Sequence, residues 1–167
     1  YGHGIAVTPL HLADAYAVCR SEAGASFGED AVYIERFIAR ARHVEVQVVG
    51  DGSGAVMHLW DRECSLQRRH QKLVEIAPCP GLPLPLRERM MEAALTLARD
   101  AAYRGIGTFE FLVDPAAGAF YFMEANPRLQ VEHTVTEEVT GVDLVSTQIR
   151  IAFGATVADL GLDPSAP

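Results

Sequence analysis

The fold is decided by one stretch, Gly107-Thr108-Phe109-Glu110-Phe111-Leu112-Val113-Asp114-Pro115-Ala116-Ala117-Gly118-Ala119-Phe120-Tyr121-Phe122-Met123-Glu124-Ala125-Asn126. Its two outer parts, 109–113 and 120–124, are rich in aromatic and β-branched residues, which favour strands. The segment 114–118 between them carries the proline and glycine that are typical of a turn. The stretch therefore predicts two adjacent antiparallel strands joined by a short connection.

The predicted hairpin brings two acidic residues together. With the turn centred in the middle of its connection, Glu110 lies opposite Glu124 and Leu112 lies opposite Phe122. Directly opposed carboxylates repel one another unless a pKa rises or a cation binds. Asn126 adds an amide oxygen, and this donor set suits Mg²⁺ or Mn²⁺. Two solvated acids on a wet sheet face are the alternative, because the register is inferred from the turn alone.

The rest of the chain predicts further helices and strands around this hairpin. The first predicted helix runs from Thr8 to about Ala25 and is closed by Gly28. The second runs from Leu86 to Ala101 and is ended by Gly105 and Gly107. The third is capped by Asp143 and runs to Ala152. The predicted strands are Val32–Ile38, Val44–Val49 and Val56–Trp60. Residues 61–72 have no apolar period and are interpreted as a functional loop, and residues 78–85 as a proline-rich connector. This order predicts an α+β fold with an antiparallel sheet packed with helices.

Composition narrows the class of protein. The chain has 167 residues, 49% of them hydrophobic, which is enough for one domain with a core. Its net charge of −8 disfavours a nucleic-acid partner. No apolar run approaches the roughly 20 residues of a membrane helix, and no secretory signal is seen. The three cysteines have no disulfide or zinc spacing, so a cytoplasmic location is expected. The chain begins without Met and is interpreted as part of something longer.

Two polar segments offer cations for an anionic substrate. Arg128 can bind a planar oxyanion with both arms of its guanidinium, and Glu132 nearby could act as a base. The segment 67–72, Gln-Arg-Arg-His-Gln-Lys, places three cations in six residues. Each feature alone also has an ordinary explanation, since basic clusters are usually solvated and isolated ion pairs usually lie on the surface.

Five longer sequence strings resemble those of a known protein family. The strings are Tyr33-Ile34-Glu35-Arg36-Phe37, Arg42-His43-Val44-Glu45-Val46-Gln47, Arg62-Glu63-Cys64-Ser65-Leu66-Gln67-Arg68-Arg69-His70-Gln71-Lys72, Gly107-Thr108-Phe109-Glu110-Phe111 and Asn126-Pro127-Arg128-Leu129-Gln130-Val131-Glu132-His133. In order and spacing they resemble the biotin carboxylase component of biotin-dependent carboxylases, from roughly Gly2 to Leu162. The resemblance implies the C-terminal part of an ATP-grasp region over residues 1–162, with 163–167 as a tail or the start of the next segment.

The resemblance also implies a reaction, partners and cofactors. ATP, with Mg²⁺ or Mn²⁺, phosphorylates bicarbonate to carboxyphosphate, which yields CO₂ for a ureido nitrogen of biotin. The biotin is carried on a biotin carboxyl carrier domain, and a carboxyltransferase component passes the carboxyl group to an acceptor such as acetyl-CoA, propionyl-CoA, pyruvate or urea. A homodimer or a larger assembly is implied for the full-length enzyme, and no membrane partner is implied.

Site roles follow from the resemblance, position by position. The implied catalytic residues are Lys72, Arg128 and Glu132, with Glu132 as the base that deprotonates bicarbonate. The implied bicarbonate pocket is Lys72, Arg128, Gln130, Val131 and Glu132, and the implied metal ligands are Glu110, Glu124 and Asn126. The implied ATP-binding residues are Gly2, Gly4, Glu35, Arg36, Phe37, Ile38, His43, Gln67 and His70.

The chain departs from the family pattern at its start. Tyr1 and His3 stand where the family usually has glycine and arginine, so only Gly2 and Gly4 carry over from the phosphate loop. The family's ATP-binding lysines and a biotin-site arginine lie outside these 167 residues, so the isolated chain is expected to have little activity. Two other hypotheses stay open: another bicarbonate-phosphorylating ligase of the carbamoyl-phosphate synthetase type, and a non-catalytic nucleotide-binding module.

Overall fold

The computed structural model describes residues 11–69 and 71–162. These residues fall into two compact units that divide between residues 39 and 40. In the first unit, helix α1 spans Leu12–Phe27. Gly28 ends it in the left-handed conformation, with φ of 76°, a geometry that glycine adopts without strain. The closing glycine is confirmed, whereas the predicted start at Thr8 lies outside the described residues.

The strand predicted at Val32–Ile38 is wrong. Residues 29–38 have no regular secondary structure, and Tyr33, Ile34 and Phe37 are exposed. Residues with strand propensity form a strand only where a neighbouring strand accepts their backbone hydrogen bonds. Within the described residues, none pairs with this segment.

The second unit is built on a five-stranded antiparallel sheet. Its strands are β1 (Arg42–Asp51), β2 (Val56–Arg68), β3 (Gln71–Ile76), β4 (Arg104–Asp114) and β5 (Ala119–Asn126), in the spatial order β3-β2-β1-β4-β5. Its helices are α2 (Leu84–Asp100), α3 (His133–Thr140) and α4 (Leu144–Ala152), followed by a short 3₁₀ helix, Ala158–Leu160. None of the helices within the described ranges is long and apolar enough to cross a membrane.

Alternation along the strands gives the sheet two different faces. On one face, the apolar side chains of β1 and β4 pack against α2 in the main core, formed by Val44, Val46, Val48, Cys79, Leu82, Leu86, Met90, Met91, Ala94, Ala98, Phe109, Phe111 and Val113. On the other face, α4 covers a smaller apolar cluster formed by Val49, Met57, Leu59, Ile106, Leu144, Ile151 and Leu160. The rest of that second face carries buried polar residues, Glu45 and Glu110 among them.

The functional loop predicted at 61–72 is instead a hairpin. Strand β2 continues to Arg68, and β3 begins at Gln71. The apolar period fails here because Asp61, Arg62 and Glu63 are buried among polar partners, so burial does not follow hydrophobicity. Gly105 and Gly107 likewise lie within β4 and do not end the preceding helix, which stops at Asp100.

The predicted hairpin at 109–124 is confirmed, with one change of register. Glu110 pairs with Glu124 as expected, but Leu112 pairs with Tyr121 and Phe122 pairs with Phe111. A β-bulge at Met123 inserts one residue between the two parts of the ladder. The bulge places Glu124 opposite Glu110 while the aromatic residues nearer the turn keep their own alignment.

Candidate functional site

Glu45 lies at the centre of the polar side chains on the second face of the sheet. This residue alternates with Val44 and Val46 in β1, so its side chain leaves the main core and lies among charged groups. Its Oε1 accepts from Arg62 Nε at 2.6 Å, and its Oε2 accepts from Lys72 Nζ at 2.6 Å. Both oxygens of a fully buried carboxylate are therefore held by cations, as burial of a charge requires.

Glu110 is the second anion of this cluster. Its Oε1 accepts from Asn126 Nδ2 at 2.9 Å, from Gln130 Nε2 at 3.0 Å and from Lys72 Nζ at 3.3 Å. Burial acts to raise the pKa of Glu110, but hydrogen bonds from His43 and Gln130 and the charge of Lys72 lower that pKa to about 2. Glu110 is therefore ionised at neutral pH.

His43 joins Glu110 to Gln67. Its Nε2 lies 2.6 Å from Glu110 Oε2, and its Nδ1 lies 2.8 Å from Gln67 Nε2. The carbonyl of Cys64 also accepts from Gln67 Nε2 at 2.8 Å, which orients the amide so that its nitrogen donates to His43. Each ring nitrogen of His43 therefore has one hydrogen-bond partner, Glu110 at Nε2 and Gln67 at Nδ1.

Lys72 bridges Glu45 and Glu110 to Glu132. Its Nζ lies 3.0 Å from Glu132 Oε1, and the Glu132 side chain is 10% exposed. Burial acts to lower the pKa of Lys72, but the charges of Glu45 and Glu110 and a hydrogen bond to Glu132 raise that pKa above its ordinary value. Burial acts to raise the pKa of Glu132, but the hydrogen bond and charge of Lys72 lower it. Both side chains are charged at neutral pH.

Glu132 stands at the N-cap of α3 but makes no capping hydrogen bond with its side chain. The carboxylate is turned toward Lys72 instead, although a cap at this place would satisfy free amides of the first helical turn. Capping therefore does not account for an acidic residue at this position.

Glu124 and Asn126 lie beside Glu110 at the open edge of the cluster. Asn126 Nδ2 donates to Glu110 Oε1 and, at 3.1 Å, to Glu124 Oε1. The two carboxylates and the amide share one face of β4 and β5, as the sequence predicted. In chemistry this donor set fits a hard divalent cation, since carboxylate and amide oxygens are its preferred ligands.

Close packing of β4 on β5 depends on Gly107. A Cβ at this position would overlap the hydroxyl of Tyr103 and come within 2.9 Å of the carbonyl oxygen of Asn126. The Tyr103 hydroxyl donates to the carbonyl of Ile106 at 2.8 Å, and burial raises the pKa of Tyr103 to about 12. The glycine thus sets how closely the strand bearing Asn126 approaches its neighbour.

The remaining predicted bicarbonate residues lie on the segment 127–132. Gln130 is buried and contacts Glu110, whereas Val131 is 91% exposed. The exposed Arg128 reaches the cluster through Asn126, with its guanidinium 3.5 Å from Asn126 Oδ1. Lys72 and Glu132 are thus in direct contact, as expected, and Arg128 is joined to them through Asn126 and Glu110.

The other predicted nucleotide contacts are not among the described residues of the second unit. Glu35, Arg36, Phe37 and Ile38 belong to the irregular segment of the first unit, where the first three are exposed. Gly2, Gly4 and His70 lie outside the described residues. Their assignments as ATP contacts therefore stay predictions.

Sequence reasoning gave no role to several buried polar residues of the cluster, Glu45, Gln47, Arg62, Thr108 and Thr136. One signal was available, because Glu45 and Gln47 alternate with valines on a strand that was predicted. A buried glutamate on such a strand requires a cation or another hydrogen-bond donor close by. The partner, Arg62, was hidden because residues 61–72 were interpreted as a loop.

Comparison with known proteins gives the family. The family model described as "Carbamoyl-phosphate synthase L chain, ATP binding domain" matches residues 1–160. The chain belongs to this family. Among curated members, Pyruvate carboxylase 1 of Caenorhabditis elegans is 56% identical over 149 residues, which are 89% of this chain and 13% of that protein. The mitochondrial pyruvate carboxylase of Homo sapiens is 50% identical over 163 residues, 96% of this chain and 14% of that protein.

Solved structures of biotin carboxylases are also similar to this chain. A biotin carboxylase–ATP complex from Campylobacter jejuni matches with a TM-score of 0.80 and 46% identity, over 90% of this chain and 33% of that one. The biotin carboxylase domain of a thermophilic 2-oxoglutarate carboxylase bound to bicarbonate matches with a TM-score of 0.83 and 42% identity, over 93% and 35%. The resemblance to biotin carboxylases and the α+β ATP-grasp fold class are confirmed. The chain spans 13–14% of these two curated relatives and about a third of these structures.

Proposed function

We propose that this protein is a biotin carboxylase, which uses ATP and bicarbonate to carboxylate protein-linked biotin through carboxyphosphate. One observation carries the proposal: Lys72 is held between Glu45, Glu110 and Glu132 on a sheet face that also presents two carboxylates and an amide. ATP and bicarbonate are both anions, so binding them requires locally placed cations in a chain whose net charge is −8. The reported relatives are carboxylases, which supports the same reaction.

The proposed chemistry divides between a base and its cations. Glu132 takes the proton of bicarbonate, and the resulting carbonate oxygen attacks the γ-phosphorus of ATP while ADP leaves. Lys72 and Arg128 offset the negative charge of bicarbonate and of the transferring phosphoryl group. The low pKa of Glu132 keeps it able to accept a proton at neutral pH.

The bicarbonate pocket is proposed to be lined by Lys72, Arg128, Gln130, Val131 and Glu132. Gln130 supports this, because its Oε1 is buried and has no hydrogen-bond partner within the described residues. A buried acceptor without a donor costs about 1–3 kcal/mol, so a ligand hydroxyl would relieve it. Val131 is exposed, which leaves room for an anion beside it.

The ATP site is proposed to include His43 and Gln67. Hydrogen bonds connect Gln67 to His43 and His43 to Glu110, so a nucleotide bound at Gln67 would be coupled to the acidic cluster. Gly2, Gly4, Glu35, Arg36, Phe37, Ile38 and His70 are proposed as further ATP contacts on the family resemblance.

Glu110, Glu124 and Asn126 are proposed to hold Mg²⁺ or Mn²⁺, which would neutralise phosphate charge when bound. Glu124→Gln removes one ligand charge from an exposed residue, so it should raise KM for Mg·ATP and leave thermal stability close to wild type. Steady-state kinetics at varied Mg²⁺ concentrations measure the effect. A variant with unchanged dependence on Mg²⁺ would remove Glu124 from the ligand set, and Glu138→Gln on the exposed surface of α3 serves as the control.

Partners and location are part of the same proposal. Biotin on a biotin carboxyl carrier domain is the proposed acceptor, and a carboxyltransferase component is proposed to use carboxybiotin; a homodimer or larger assembly is proposed for the full-length enzyme. A reducing, cytoplasmic location is supported by Cys64 and Cys79, which are unpaired, and burial raises the pKa of both thiols. Cell fractionation tests the location.

The decisive experiment is ATP hydrolysis by the full-length protein with and without bicarbonate, and then with free biotin. Hydrolysis that needs bicarbonate and increases with biotin is expected. A ligase of the carbamoyl-phosphate synthetase type would need bicarbonate but ignore biotin, and a non-catalytic nucleotide-binding module would bind ATP without hydrolysing it. The reported relatives at 50–56% identity are carboxylases, which favours the first outcome.

A further inference from the structure

Arg62 is a buried cation to which the proposed function gives no role. The side chain is 1% exposed although it carries a full charge. It donates to Glu45 Oε1 at 2.6 Å, to Gln47 Oε1 at 2.9 Å, to Thr136 Oγ1 at 2.6 Å and to Thr108 Oγ1 at 3.3 Å. These bonds use all three guanidinium nitrogens and reach strands β1 and β4 as well as helix α3.

One arm of Arg62 fixes Glu45. Arg62 occupies one oxygen of the Glu45 carboxylate and Lys72 occupies the other, so the orientation set by Arg62 determines where the second oxygen lies. A carboxylate with both oxygens bound cannot rotate without breaking a charged hydrogen bond in a buried site. Arg62 therefore controls the position of Lys72 through Glu45.

Another arm of Arg62 fixes α3. Thr136 is the buried residue of this helix, and its hydroxyl meets the guanidinium at 2.6 Å. Thr136 lies one helical turn beyond Glu132, and residues one turn apart lie on the same side of a helix. Glu132 sits at the N-cap of α3 without a capping bond of its own, so this tether holds the helix end that carries it.

We propose that Arg62 is a positioning residue. It holds Lys72 through Glu45 and holds Glu132 through Thr136, so that the cation and the base face the same small volume. The inference rests on the proposed function, since it names what aligns the proposed base with its cation. The hydrogen bonds of Arg62 reach Lys72 through Glu45 and the start of α3 through Thr136. Its charge also helps to lower the pKa of Glu132, which a neutral substitution at Thr136 leaves in place.

The tether can be cut at Thr136 without removing the buried charge. Thr136→Val keeps the shape of the side chain and removes the hydroxyl, whereas Thr136→Ser keeps the hydroxyl and serves as the matched control. In the full-length protein, Thr136→Val should lower kcat of bicarbonate-dependent ATP hydrolysis about ten- to a hundredfold, since small misplacements of catalytic groups have effects of this order. KM for bicarbonate should rise and KM for ATP should stay unchanged. Thr136→Ser should keep the wild-type rate.

Hydrogen exchange measured by mass spectrometry gives a second readout. Amides of residues 131–137 should exchange faster in Thr136→Val than in Thr136→Ser, while those of α2 should be unaffected. A Val variant with wild-type kinetics, a Ser variant as impaired as Val, or equal exchange in the two variants would overturn the inference. If the wild-type protein lacks bicarbonate-dependent hydrolysis, the proposed function fails, and the exchange comparison then decides whether Arg62 holds this segment.

Discussion

On the α2 face of the sheet, Val44 and Val46 of β1 are fully buried against apolar side chains, whereas on the opposite face Glu45 of the same strand is equally buried among charges. Apolar burial stabilises a fold in proportion to area. Buried ion pairs contribute little net stability, because desolvation offsets their attraction. The comparison teaches that one face of this sheet provides stability and the other provides placement of charge, so substitutions on the two faces should have separable effects.

The sharpest test on the charged face is Glu132. Glu132→Gln keeps the shape but cannot take a proton, so kcat for bicarbonate-dependent ATP hydrolysis should fall about 10²–10⁴-fold, the usual range for loss of a general base. The kcat of Glu132→Ala should fall by a similar factor, and ATP binding should be nearly intact in both variants. Activity assays together with nucleotide-binding titrations measure this. A Gln variant close to wild type would mean that Glu132 is not the base.

The matching test on the apolar face is Met90. This side chain of α2 is completely buried in the main core, so Met90→Ala should lower the free energy of unfolding by about 2–5 kcal/mol. The rate of the remaining folded enzyme should be unchanged at a temperature well below unfolding. Met90→Leu is the control and should cost less than about 1.5 kcal/mol, since volume is nearly kept. Urea unfolding measures both, and a large loss of kcat in folded Met90→Ala would contradict the separation of the two faces.

The same contrast explains what could be predicted from the sequence. The hairpin of β4 and β5 was predicted because its aromatic residues alternate around a clear turn. The hairpin of β2 and β3 was missed because Arg62 and Lys72 face charged partners, so their strands carry no apolar period. Hydrophobic pattern predicts a strand only where hydrophobic contact buries it.

Two further features depend on contacts between distant parts of the chain. The bulge at Met123 leaves no local signature, yet it sets the alignment of Phe122 with Phe111. The hydrogen bond between Arg62 and Thr136 joins residues 74 positions apart, so no local pattern could indicate it. Family resemblance supplied the residues Lys72 and Glu132, and the structure supplied the neighbours that hold them.

Acid should sharpen the comparison, because protonation of Glu110 weakens the charged face. The pKa of Glu110 is about 2 in the folded protein, below its ordinary value of 4.5, so its stabilising effect is complete above pH 4.5 and is lost as pH falls toward 2. A shift of this size corresponds to roughly 3 kcal/mol. Unfolding measured in EDTA between pH 5 and pH 3 should show a steeper loss of stability for wild type than for Glu110→Gln. Equal slopes would mean that Glu110 gains no stability from ionisation.

The smallest expected effect concerns the apolar end of the charged face, where α4 begins. Asp143 caps this helix, and its Oδ1 accepts from the backbone amide of Ser146 at 2.7 Å. Asp143→Ala removes that acceptor and should lower the free energy of unfolding by about 0.5–2 kcal/mol, as loss of an N-cap does. Asp143→Asn keeps a capping oxygen and should cost less.

Leu144 and Ile151 anchor α4 in the smaller apolar cluster, away from Lys72, so kcat should not change in either variant. Thermal unfolding and ATP hydrolysis on the same samples measure the two effects. A drop in kcat for Asp143→Ala that Asp143→Asn restores would show that the smaller apolar cluster and the charged cluster are coupled. Stability and charge placement would then be separate between the two faces of the sheet but not within this face.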